Sequence, residues 1–80
     1  MKFYYTYVLR SLKDDKLYIG KSDDLKKRKI GHDKGLVLST KYRRPLELVY
    51  YEACLDKHKS IKREKYFKTG FGRKFLKDRI

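Results

Sequence analysis

A tyrosine, an arginine and a histidine stand at Tyr18, Arg28 and His32 of this chain. Tyr18 lies in the run Leu17-Tyr18-Ile19-Gly20, which reads as the end of a strand. Arg28 and His32 follow at i and i+4 on what reads as a helix, so their side chains point the same way. A phenol, a guanidinium and an imidazole then converge where a strand feeds a helix. Such a set can hold a phosphate and move a proton beside it. Each member alone has a plainer use. Tyr18 can pack at a hairpin end, Arg28 can be a solvated charge, and His32 can complement a helix dipole. The joint spacing is what points to chemistry.

The flanking sequence supplies the elements that must position these groups. Phe3 to Leu9 is aromatic and β-branched, which favours a strand. Neither of its alternating faces is wholly polar, so this strand is expected to be central and covered on both sides. Lys13-Asp14-Asp15-Lys16 reads as a turn that returns the chain as a second strand, Leu17 to Gly20. Ser22-Asp23-Asp24 has N-cap chemistry for a helix running through about Asp33 and stopping near Gly35. Leu36 to Arg44 has no period and reads as loop. Pro45 opens a third strand, Leu46 to Glu52. Asp56 can cap a second helix reaching about Lys68, Gly70 breaks the chain, and Arg73 to Arg79 reads as a short last helix. The order strand, strand, helix, strand, helix, helix predicts an α+β fold with a small three-stranded antiparallel sheet.

Composition narrows the partner. The 80 residues hold 23 Lys and Arg against 10 Asp and Glu, a net charge of +13. That length suits one small domain, residues 1–80, with a thin core. The charge points to a polyanion, most commonly nucleic acid. It is concentrated toward the end: residues 56–80 carry 10 basic and 3 acidic side chains. The single cysteine, Cys54, excludes an intramolecular disulfide and a cysteine-rich zinc site. No apolar run approaches the ~18 residues of a membrane span. No signal-peptide pattern opens the chain, and the expected location is the cytoplasm.

Tyr18-Ile19-Gly20, with Lys21-Ser22, Asp24-Leu25, Arg28 and His32 behind it, resembles the GIY-YIG nuclease superfamily. The first half of that signature is degenerate: Tyr5-Thr6-Tyr7 stands for Gly-Ile-Tyr, and only Tyr7 survives. Lys62-Arg63-Glu64-Lys65-Tyr66 resembles the helix that carries the family's metal-binding glutamate. The resemblance is closest to short single-domain bacterial members, similar to the N-terminal part of the UvrC excinuclease subunit. It implies a metal-dependent endonuclease that hydrolyses DNA phosphodiesters with little sequence specificity. Glu64 would hold Mg²⁺ or Mn²⁺, Tyr18 would be the general base, Arg28 would bind phosphate, and His32 would orient water or shuttle the proton. Tyr7 would hydrogen-bond within the cluster or to phosphate. Lys21, Lys26, Lys27, Arg73 and Lys74 are the expected nucleic-acid contacts, with DNA favoured over RNA. Many active members carry an asparagine near the last helix, and this chain has no Asn. The alternative is a weak or inactive nucleic-acid-binding module, or an accessory subunit of a larger repair or recombination protein.

Overall fold

The aromatic run near the N-terminus forms β1 (Tyr4–Ser11) in the computed structural model, which describes residues 1–80. The turn brings the chain back as β2 (Leu17–Ser22), and the later apolar run forms β3 (Leu46–Cys54). Both neighbours pair antiparallel with β1, giving the order β2-β1-β3 and placing β1 at the centre. Tyr7 pairs with Gly20 on one side and Tyr51 on the other.

Strand alternation divides the sheet into two unlike faces. Val8 and Ile19 point to one face and join Phe67 and Leu76 in an apolar cluster. Tyr7 and Leu9 point to the other and join Leu46, with Tyr18, Leu25 and Leu48 packed against them. The first face is covered by α2 (Lys57–Phe67) and α3 (Gly70–Lys77), the second by α1 (Leu25–Asp33). Covering on both sides explains why β1 carries no polar stripe.

The helix starts follow the acidic caps. Asp24 accepts from Lys27 N at 3.1 Å, and Asp56 accepts from His58 N at 2.8 Å and Lys59 N at 3.3 Å. Each satisfies backbone donors that a first helical turn leaves unpaired. The last helix differs from the reading of the sequence. It begins at Gly70 rather than Arg73, because Thr69 supplies the cap and accepts from Gly72 N at 3.1 Å. Arg73 and Lys74 therefore sit in the second turn, away from the helix start where a phosphate would meet free N–H groups. Lys41–Arg43, in the stretch read as loop, makes one 3-10 turn.

Arg63 ties the helical face together. Its guanidinium donates to Glu52 through Nε at 2.7 Å and Nη2 at 3.0 Å. It also lies 4.6 Å above the Phe67 ring, inside a cluster of Tyr50, Tyr66, Phe67 and Phe75. A planar, weakly hydrated cation suits both contacts.

Candidate active site

Gly20 makes the site possible. A Cβ there would lie 2.5 Å from Tyr7 Oη and 3.0 Å from Tyr18 Cε1. The missing side chain lets the Tyr7 ring cross the neighbouring strand and bring its hydroxyl to the β2 side of the sheet. One helical turn of α1 separates Arg28 from His32, and both reach that hydroxyl. Arg28 Nε donates to Tyr7 Oη at 3.3 Å, and His32 Nε2 lies 2.8 Å from the same oxygen. The Tyr18 ring stands edge-on to the His32 ring at 5.1 Å, and its hydroxyl lies beside the Arg28 guanidinium. Behind the imidazole, Nδ1 lies 2.7 Å from Thr40 Oγ1.

The structure thus brings Tyr7, Tyr18, Arg28 and His32 together. Glu64 lies on α2, and its carboxylate adds a minor upward push to the Tyr7 phenol, whose main cause is burial. Its side chain is 19% exposed, with Lys68 Nζ 3.9 Å away. The basic residues are more dispersed. Lys27 shares an open cleft with Arg28 and Lys34. Lys21 faces a neighbouring hollow with Lys2 and Lys57, and Lys26 lines a groove with Tyr5 and Tyr51. Arg73 lies at the hairpin end of the sheet beside Arg10 and Lys77. Lys74 is exposed on α3.

Hydrogen-bond accounting sets the protons. Tyr7 is 1% exposed and His32 is fully buried. Arg28 can only donate, so the Tyr7 oxygen accepts from it. The phenolic hydrogen then needs an acceptor, and His32 Nε2 is the one within reach. Burial and the Arg28 charge hold the imidazole down to about 4 from the ordinary 6.5, so it is neutral near pH 7. Burial holds the Tyr7 phenol above its ordinary 10, although Arg28 opposes this. The resting pair is a neutral phenol donating to a neutral imidazole.

Stability should record that burial. As pH falls through 6.5 the unfolded chain protonates His32 while the folded chain does not until about 4. The contribution of the neutral imidazole is complete above the unfolded value and drains across this window, by about 3 kcal/mol. Urea melts of wild type and His32→Gln across the window read the effect. The variant is expected to lose much less stability on acidification, and equal losses would assign the acid sensitivity elsewhere.

Thr40 escaped the sequence reading. It lies in an aperiodic stretch, eight residues after His32, and only the folded loop returns it to the ring. Gly20 was legible as part of Tyr-Ile-Gly, but the reason for a glycine required the register of β1 on β2.

An antiparallel three-stranded sheet with helices on both faces, bearing a tyrosine–arginine–histidine cluster at its β2 side, defines a small α+β domain. Residues 3–77 match the GIY-YIG catalytic domain, and the chain belongs to that family, a nuclease-type domain. It is similar to a UPF0213 protein of Staphylococcus saprophyticus, 41% identical over 78 residues that cover 96% of this chain and 94% of the relative. A UPF0213 protein of Bacillus pumilus is 40% identical over 67 residues, covering 82% of this chain and 67% of that protein. One of Streptococcus pyogenes serotype M3 is 42% identical over 65 residues, covering 80% and 70%. No solved structure matches the chain. No helix is long and apolar enough to cross a membrane.

The metal implied by the resemblance can be tested against the donors present. No three His, Cys, Asp or Glu side chains gather anywhere in the molecule. Both His32 nitrogens are already engaged. A nitrogen-rich tetrahedral centre therefore does not fit. A single carboxylate at Glu64 does fit a hard cation that keeps most of its own water.

Proposed function

We propose that this chain is a metal-dependent endonuclease that hydrolyses phosphodiester bonds of DNA with little sequence specificity. The observation that carries the reading is the Tyr7 hydroxyl, held by Arg28 Nε at 3.3 Å and His32 Nε2 at 2.8 Å. Mg²⁺ or Mn²⁺ seated on Glu64 would supply positive charge at the scissile phosphate and its departing oxygen.

The chain's own groups carry the remaining work. Arg28 keeps Nε on Tyr7 and offers its terminal nitrogens to the phosphate, where its planar fork suits two oxygens. A water attacks phosphorus. Its proton passes to Tyr7 Oη as the phenolic proton passes to His32 Nε2. The new O–P bond forms as the ester O–P bond breaks. At rest the raised phenol and lowered imidazole keep this path closed. Negative charge building on the phosphate stabilises the imidazolium as it forms, so the path opens with the transition state. Tyr18 bounds the water's place through its ring against His32 and its hydroxyl beside Arg28.

Low sequence specificity follows from the surroundings. Lys27 is an exposed cation in the cleft with Arg28, and Lys21 and Lys26 are exposed cations in neighbouring hollows, all suited to backbone oxygens rather than base edges. Duplex binding should weaken steeply with salt through counterion release. Purified protein is expected to nick supercoiled plasmid with Mg²⁺ or Mn²⁺, and Glu64→Ala to lower the rate by about 100-fold or more. Full activity in Glu64→Ala, or undiminished activity in chelator, would refute the metal seat.

A further inference from the structure

We propose that Thr40 is a positioning residue that holds His32 as the Nδ1–H tautomer, and so sets the direction of the proton path from Tyr7. The inference deepens the nuclease reading, and its activity arm rests on that reading. Thr40 is fully buried, and its Oγ1 lies 2.7 Å from His32 Nδ1. Its hydroxyl makes no hydrogen bond to Tyr7 or Arg28, so it acts through the imidazole alone.

The chain of donors is fixed from the far end. Arg28 has hydrogens to give and no lone pair to offer. Tyr7 Oη accepts one of them at 3.3 Å, so the phenolic hydrogen turns to Nε2 at 2.8 Å. A neutral imidazole carries one hydrogen, which must then be on Nδ1. Thr40 Oγ1 accepts it and turns its own hydrogen toward the Val37 carbonyl at 3.5 Å. Every member donates in the same sense, from the guanidinium inward to the loop backbone. The opposite tautomer would face Nε2–H against the phenol oxygen, and the ring could not accept the proton the reaction releases.

The loop that presents Thr40 is anchored to do this. Thr40 N donates to Val37 O at 3.1 Å, and Arg43 N donates to Thr40 O at 2.9 Å. Ser11, buried at the end of β1, donates through Oγ to Arg43 O at 2.6 Å. Arg44 reaches back through Nη1 to Asp33 O at 3.2 Å, next to His32 in sequence. The segment between α1 and β3 is thereby tied to the strand and the helix that carry Tyr7 and His32. A buried hydroxyl in a tethered loop is a fixed acceptor, which a solvent-exposed threonine would not be.

Imidazole ¹⁵N NMR on the free protein tests the assignment without substrate. Wild-type His32 is expected to show a protonated Nδ1 and an unprotonated Nε2. Thr40→Val keeps the shape, removes the acceptor and is expected to shift the ring toward Nε2–H, whereas Thr40→Ser retains the wild-type signature. In plasmid nicking, Thr40→Val should lower kcat by about 10- to 100-fold with KM little changed, and Thr40→Ser should recover most of it. A wild-type ring protonated on Nε2 overturns the proposal outright, even if Thr40→Val does not fold. So does a Thr40→Val protein with the wild-type tautomer and full kcat. A wild type that nicks no substrate sinks the nuclease reading instead, and the NMR arm still decides the tautomer.

Discussion

Replacing Tyr7 by Phe is expected to lower plasmid nicking by about 100- to 10,000-fold, the range for losing a positioned proton-transfer group. The ring is 1% exposed and packs with Leu9 and Leu46, and phenylalanine preserves that packing. What disappears is one oxygen, with its contacts to Arg28 Nε and His32 Nε2. On the proposed path the water loses its proton acceptor, and the imidazole loses the donor that loads it. DNA binding and its salt dependence should stay near wild type, because the exposed lysines are untouched. Tyr18→Phe is the informative partner. Its hydroxyl lies beside Arg28, whereas the Tyr7 hydroxyl bonds both Arg28 and His32, so its effect should be smaller. Single-turnover nicking by the two variants, with thermal melts as a fold control, decides between the phenols. A larger loss in Tyr18→Phe would move the proton acceptor to Tyr18.

The second large effect concerns stability, far from any phosphate. Gly72 lies where α3 crosses the end of α2. A Cβ there would collide with the Tyr66 carbonyl oxygen and come within 2.5 Å of Phe67 Cα. Both obstacles are backbone, so no flexible side chain can give way. The helices must separate, and Phe67 and Leu76, both fully buried in the same cluster, would lose their fit. Gly72→Ala is expected to cost about 3 kcal/mol, the upper part of the usual range for overpacking. Only 14 of 80 residues are buried, so little other core can absorb the strain. A domain of this length has about 4–12 kcal/mol in total. Chemical denaturation should report a lower midpoint with an unchanged slope. Gly31→Ala, where nothing lies within 4 Å of the new carbon, is the control and should stabilise slightly through helix propensity. Equal stability in Gly72→Ala and wild type would mean that the α2–α3 crossing is looser than this packing requires.

The element order could be read along the chain because local chemistry announces it. Asp24 and Asp56 sit where donors at helix starts need acceptors, and both serve as caps. The aromatic first strand became the centre of the sheet because both its faces could be covered. The last helix was misplaced for an equally local reason. Gly70 lowers helix propensity and reads as a break. In the fold, Gly72 is helical because only a residue without a side chain fits against Tyr66 and Phe67. Tertiary crowding overrode propensity, and Thr69 supplied the cap.

The motif around Tyr18, Arg28, His32 and Glu64 already carried the resemblance to the family, and helical periodicity aligned Arg28 with His32 one turn apart wherever the helix sits. Which phenol the arginine and histidine both bind is a different kind of fact. It depends on the register that sets Tyr7 across from Gly20, and on the empty space a glycine leaves there. The partner of the imidazole's far nitrogen likewise depends on how an aperiodic loop closes back onto α1. Proton direction is a property of contacts between segments distant along the chain, and no linear pattern encodes a hydrogen bond that exists only after three strands and two helices have packed.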